Sequence, residues 1–192
     1  MKKTECIYSN DESFVNGTND REAHLKYWIA VLVQMNTEQK VSTYLDKLGI
    51  TNYVPTQTEM HQWSDRKKKI ERIVIPMVVF VWVDKTIEKN LRTYSFIYKF
   101  ISYPGRKEAA VIPNEQIEKL KFMLKNADSI VEVSDAVYEI GEEVEILRGP
   151  LKGLSGELCY FEKDKPMIGI YLDVLGYACV SVNKNDVRSK NK

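Results

Sequence analysis

Apolar and polar positions recur along the chain with two different periods, and the places where the period changes divide it into elements. Tyr27 to Val33 is an aromatic and β-branched run of strand length, and Asn36-Thr-Glu-Gln39 after it has the Asn-x-x-Gln form of a helix start. Val41, Tyr44, Leu45 and Leu48 recur at i, i+3, i+4 and i+7, with Gly49 at the place of a C-terminal cap. That pattern predicts a helix with one stripe laid on a sheet. Asn52 to Trp63 alternates loosely around Pro55, which cannot donate to a ladder and marks an edge or a bulge. Ser64 to Lys69 makes a charged turn. Ile70 to Val83, almost continuously apolar after Arg72, is the most strand-like segment, with Pro76-Met77 in its middle. The two segments are expected to pair as one long hairpin. Ile87 and Leu91 stand four apart, Phe96 to Tyr103 reads as a strand closed by Pro104-Gly105, and Pro113 to Lys125 reads as a helix. Its apolar face is Ile117, Leu120, Met123 and Leu124.

A different spacing follows. Residues 126–137 carry few regular signals and are expected to link two domains. In Gly141 to Gly156, Val144 and Ile146 fall on one face of a strand and Glu143 and Glu145 on the other. Gly149-Pro150 ends that strand, and Gly153 and Gly156 supply turn and bulge conformations. Ser155 to Phe161, Met167 to Leu172 and Tyr177 to Val182 are further short strands, with Asp186 to Arg188 as a fifth. The expected architecture is α+β: a tail over residues 1–23, a first domain over 24–125, a linker over 126–137 and a five-stranded barrel over 138–188.

Composition narrows the function more than the fold. Charge is nearly balanced at +1 over 192 residues, so contact with nucleic acid has to come from a local patch. Met1 to Asp20 is polar and lacks an apolar stretch of signal-peptide length, which points to the cytoplasm. The longest apolar run, Ile73 to Val83, contains Pro76 and is about half the length a membrane span needs. Cys6, Cys159 and Cys179 include no Cys-x-x-Cys pair, so free thiols are expected rather than a disulfide framework or a zinc ribbon. His24 and His61 have no ligand-like neighbours, no catalytic serine, cysteine or metalloprotease motif is present, and the glycines around Gly153 lack the context of a phosphate loop. No enzyme activity, metal or cofactor is expected.

Val144-x-Ile146-x-x-Gly149-Pro150-Leu151-x-Gly153-Leu154-x-Gly156 resembles the KOW motif that opens the C-terminal barrel of NusG-type transcription factors. Independently, Tyr27-Trp28-Ile29-Ala30-Val31 resembles the family's opening strand, Tyr53-Val54-Pro55-Thr56 its Val-Pro-Thr, and Lys68 to Val81 its basic turn and Phe-Pro-Gly-Tyr-Val strand. At the last of these the chain has Ile75-Pro76-Met77-Val78 instead. With the long segment before the first strand, this makes it look most like the UpxY group encoded at the head of capsular polysaccharide operons.

The resemblance implies an operon-specific antitermination factor, a cytoplasmic monomer without cofactor or membrane, that binds the RNA polymerase clamp and suppresses pausing and termination. The positions that match its polymerase contact are Ile75, Pro76 and Val78, with Tyr27 and Trp28 nearby. An aliphatic patch left open there would bury itself on a clamp helix at roughly 25 cal/mol per Å2. In the barrel, Leu151, Leu154, Val174 and Leu175 match loop positions that bind a ribosomal small-subunit protein or a termination factor, and turns of so small a barrel are expected to leave them exposed. Arg66, Lys67, Lys68, Lys69 and Arg72, with Trp63 as a stacking platform, form the dense cationic cluster that could meet upstream or non-template DNA. Arg106-Lys107 reads as a solvated pair. A KOW-containing RNA-binding or ribosome-associated protein is the alternative from another class.

Overall fold

The computed structural model describes residues 25–62, 67–134, 139–160 and 166–190. Strand β1 (Tyr27–Val33) is the second-from-edge strand of a four-stranded antiparallel sheet of order β2-β5-β1-β6, with β2 at Asn52–Tyr53, β5 at Val78–Val83 and β6 at Ile97–Phe100. Successive strand residues point to opposite faces, so β1 and β5 each supply two cores. Ile29, Val31, Val33, Val79, Val81 and Val83 pack with Val41 and Leu45 of helix α1 (Glu38–Lys47) and Leu91 of helix α2 (Lys85–Leu91). Trp28, Ala30, Val78 and Phe80 meet Ile117, Leu120, Met123 and Leu124 of helix α3 (Asn114–Asn126), the four residues expected on its apolar face. The near-continuous hydrophobicity of residues 78–83 is the signature of a strand covered on both sides.

Three local expectations change. The Asn-x-x-Gln start of α1 does not form a capping box: Asn36 takes a φ of 61°, and Thr37, at the cap, makes no side-chain bond to the helix. Only Val41 and Leu45 of the expected stripe are buried; Tyr44 and Leu48 are exposed. The long hairpin is split. Strands β3 (Thr56–Gln62) and β4 (Lys67–Ile73) pair as a separate two-stranded ribbon, while β5 leaves it to enter the main sheet. The break lies where Pro76 cannot donate and Met77 takes a φ of 64°.

The second sheet has six antiparallel strands in the order β12-β8-β9-β10-β11-β7. Five of them are the expected ones: β8 (Glu139–Ile146), β9 (Ser155–Tyr160), β10 (Pro166–Leu172), β11 (Gly176–Ser181) and β12 (Val187–Ser189). The sixth, β7 (Glu132–Ser134), lies inside the segment expected to be linker and pairs with β11, Val133 opposite Ala178. Among the described residues no ladder joins β7 to β12. Val144, Ile146, Leu158, Ile168, Ile170, Leu172, Ala178 and Val180 fill one face. Gly149 and Gly153 take φ of 85° and 87° in the β8–β9 loop. Gly156 serves a close approach: a Cβ there would stand 2.5 Å from the Gly169 carbonyl oxygen. No helix among the described residues is long and apolar enough to cross a membrane.

Candidate interaction site at the hairpin base

Where β4 gives way to β5, the chain makes a turn that Glu38 holds from below. The Met77 amide donates to Glu38 Oε1 at 2.7 Å, the Val33 amide donates to the Met77 carbonyl at 2.8 Å, and the Val74 amide donates to the Pro55 carbonyl at 2.8 Å. Glu38 is 2% exposed. The turn presents Pro76 to solvent and sends its neighbours inward, Ile75 at 7% and Val78 at 3% exposed. Trp28 is buried too: its indole N–H donates to Asn114 Oδ1 at 2.9 Å, its ring lies 5.2 Å from Trp82, and Lys121 Nζ sits 5.1 Å from its centroid. Tyr27 is half-buried, with its hydroxyl donating to Glu88 Oε2 at 2.8 Å. Burial first, and then the Glu88 hydrogen bond and charge, push that phenol up to about 12. An open patch made of Ile75, Val78 and Trp28 is therefore corrected. They are core, because β1 and β5 are covered on both faces, and Pro76 alone of the matched positions is exposed.

The ribbon is tied to the segment after α3 by two polar side chains. Gln57, 3% exposed, donates through Nε2 to the Ser129 carbonyl at 2.8 Å and accepts from the Val131 amide at 2.9 Å. Arg72 donates to the Val131 carbonyl at 2.9 Å and pairs with Glu59. Val131 is buried between them, and Ile130 is turned outward at 52% exposed. Ile70 on β4 and Phe122 on α3 are also exposed. The sequence gives little sign of Ile130: it adjoins Val131 and Val133 in a segment of few regular signals, and nothing local marks it as the member of that group turned outward.

Of the cationic cluster, Trp63 and Arg66 lie outside the described residues. Lys67 and Lys68 are in β4, opposite Gln62 and His61, and Lys69 is exposed opposite Met60. Arg72 turns part of its guanidinium to Glu59 and the Val131 carbonyl, and its side chain stays 37% exposed.

The barrel loops also differ from expectation. Leu151 and Leu154 are 7% and 3% exposed, because the loop folds back through Gly153 N–H to the Ile146 carbonyl at 2.8 Å and Leu154 N–H to the Leu151 carbonyl at 3.0 Å. Leu151 lines a cavity of about 760 Å3 with Pro150, Ile146, Val180, Val182 and Asp128. Val174 and Leu175 are half-buried on the β10–β11 turn, which is tied to α3. The Asp173 amide donates to Gln116 Oε1 of α3 at 2.9 Å. Burial first and then the Asp173 carboxylate, its hydrogen-bond partner, raise the Tyr103 phenol above its ordinary value. Glu115 of α3 is held below the usual carboxylate range by Lys119, with Lys190 adding to the effect. Among the described residues no group of three His, Cys, Asp or Glu side chains could hold a metal ion.

The sequence profile of the family described as transcription termination factor nusG matches residues 26–121. The transcription termination/antitermination protein NusG of Staphylococcus carnosus (strain TM300) is 26% identical over 168 residues, covering 81% of this chain and 90% of that one. The protein of the same name from Staphylococcus aureus (strain Mu50 / ATCC 700699) is 26% identical over 167 residues with the same coverage. Among solved structures, the one titled "Domain interaction in Thermotoga maritima NusG" is 16% identical, covers 88% of this chain and 99% of that one, and has a TM-score of 0.48.

Proposed function

The chain belongs to the NusG family of transcription termination factors, and from that footing we propose that it is an antitermination and elongation factor that rides on RNA polymerase. Its first domain binds the clamp and keeps it closed, and pausing and termination fall. The observation that carries this reading is a pair of aliphatic side chains left exposed, Pro76 on the turn that Glu38 holds and Ile130 between the two backbone groups that Gln57 bonds, with Lys67, Lys68 and Lys69 at the far end of β4. Exposed apolar side chains at one end of β4 and lysines at the other suit a protein helix and a nucleic acid strand met together. Ile75, Val78 and Trp28 act from beneath, as the packed floor that fixes the turn, and Tyr27 ties that floor to α2.

Lys69 and its neighbours on β4 meet upstream or non-template DNA, a contact the resemblance extends to Trp63 and Arg66. The edge of Leu151 in the barrel cavity, and Val174 and Leu175 once the β10–β11 turn leaves α3, receive a ribosomal small-subunit protein or a termination factor. The Ile-Pro-Met-Val turn in place of the family's Phe-Pro-Gly-Tyr supports a specialised, operon-restricted factor of the UpxY kind. Transcription in vitro tests this: with purified polymerase on a template bearing the leader of the factor's own operon, read-through of a downstream terminator rises, and a template without that leader gives no rise. Unchanged pausing and read-through at saturating protein on both templates would refute the proposal.

A further inference from the structure

Strand β10 is flanked by β9 and β11, and each flanking strand carries a fully buried cysteine, Cys159 and Cys179. Neither is in a disulfide. The register sets Cys159 opposite Met167 and Cys179 opposite Gly169. Leu158, Ile168, Ala178 and Val180, their neighbours along the strands, belong to the main core, so both thiols lie on the other face of the sheet. There they form a separate cluster with Met167 and Tyr177. Gly169 makes room for them: a Cβ at that position would stand 2.6 Å from Cys159 Sγ and 3.3 Å from Cys179 Sγ. Both sulfurs thus lean over the same bare stretch of backbone from opposite sides. Their mutual hydrogen bond draws the Cys159 thiol below its ordinary value, against burial and the Glu157 carboxylate. Tyr177 covers the spot, its hydroxyl donating to Glu157 Oε2 at 2.9 Å across the strand.

The spacing disfavours a direct sulfur–sulfur bond. Strands two places apart are separated by about 9.5 Å, and the two cysteines are also staggered by two residues along them, whereas a disulfide needs Cα atoms about 4.4 to 6.8 Å apart. The two side chains nonetheless converge on one point above Gly169, where a single atom can bridge their sulfurs. We propose that Cys159 and Cys179 form a two-thiolate site for one soft, thiophilic cation of the copper(I) type, bridging β9 and β11 above Gly169. Binding displaces the two thiol protons to solvent, and the cation takes one bond from each sulfur. Soft sulfur donors select copper(I) over magnesium or calcium. Zinc asks for four tetrahedral ligands, which the described residues do not gather.

The test uses the full chain with Cys6→Ser, which removes its one other thiol. Copper(I) is titrated anaerobically against a chromophoric copper(I) chelator. The expected result is one equivalent bound, with a near-ultraviolet thiolate-to-copper absorption and a raised melting temperature. Cys159→Ala and Cys179→Ala each weaken binding by roughly 100-fold or more, since even a group that only supports a ligand is worth about 10- to 100-fold. Gly169→Ala keeps both thiols but fills the space between them, and it too loses the ion. Should a cysteine variant fail to fold, diamide treatment of the parent decides: both thiols survive in the folded protein. Copper(I) binding of equal strength in the folded cysteine variants, no binding by the parent, or ready formation of an intramolecular disulfide overturns the proposal.

Discussion

Glu38 shows how one side chain fixes the turn on which the proposed contact depends. Buried in the first turn of α1, it gives Oε1 to the Met77 amide, and its Oε2 has no hydrogen-bond partner among the described residues. Removing the acceptor orphans a backbone N–H, which costs about 1–3 kcal/mol. Glu38→Ala is therefore expected to lower the urea-unfolding free energy by that amount, whereas Glu38→Gln keeps an acceptor and loses less. An alanine variant as stable as the parent would mean the turn is held by something else. In the sequence Glu38 reads as an acidic residue at a helix start, favoured there by the helix dipole. Nothing local shows that a distant turn will close over it. Leu151 and Leu154 teach the same lesson from the other side: their glycine-spaced loop is legible, but the fold-back that buries them depends on the Ile146 pairing.

At the scale of elements, periodicity located α3, with its four core residues on one stripe, and turn residues located the five strands of the second sheet, which Gly, Pro, Asp, Lys and Asn set apart. It missed β7, three residues whose only reason to be a strand is the free edge of β11. It also joined β4 to β5, since Ile73, Val74 and Ile75 carry the apolar run from the end of β4 up to Pro76 without a polar break. Gln57 is the joint between these elements, and its two bonds to Ser129 and Val131 hold the segment after α3 on the ribbon. Gln57→Ala should leave the main sheet intact and speed amide hydrogen exchange at residues 129–131. With each net bond worth about 1 kcal/mol, a change on the order of 10-fold is expected. Unchanged protection at those amides would show that packing alone holds the segment.

For the whole molecule, the near-zero net charge makes local surface decisive. The β10–β11 turn rests on α3 through Asp173 and Gln116, while Pro76 and Ile130 stay exposed at the base of the ribbon. Burying one aliphatic side chain there is worth about 1.5–3 kcal/mol, which corresponds to roughly 10- to 100-fold in affinity. The most direct measurement is the dissociation constant of the intact protein for purified RNA polymerase, taken beside Pro76→Asp and Ile130→Asp variants of unchanged melting temperature. Tight binding by the parent and a loss of at least about 10-fold in each variant is the predicted result; equal binding by all three, or none by the parent, contradicts it.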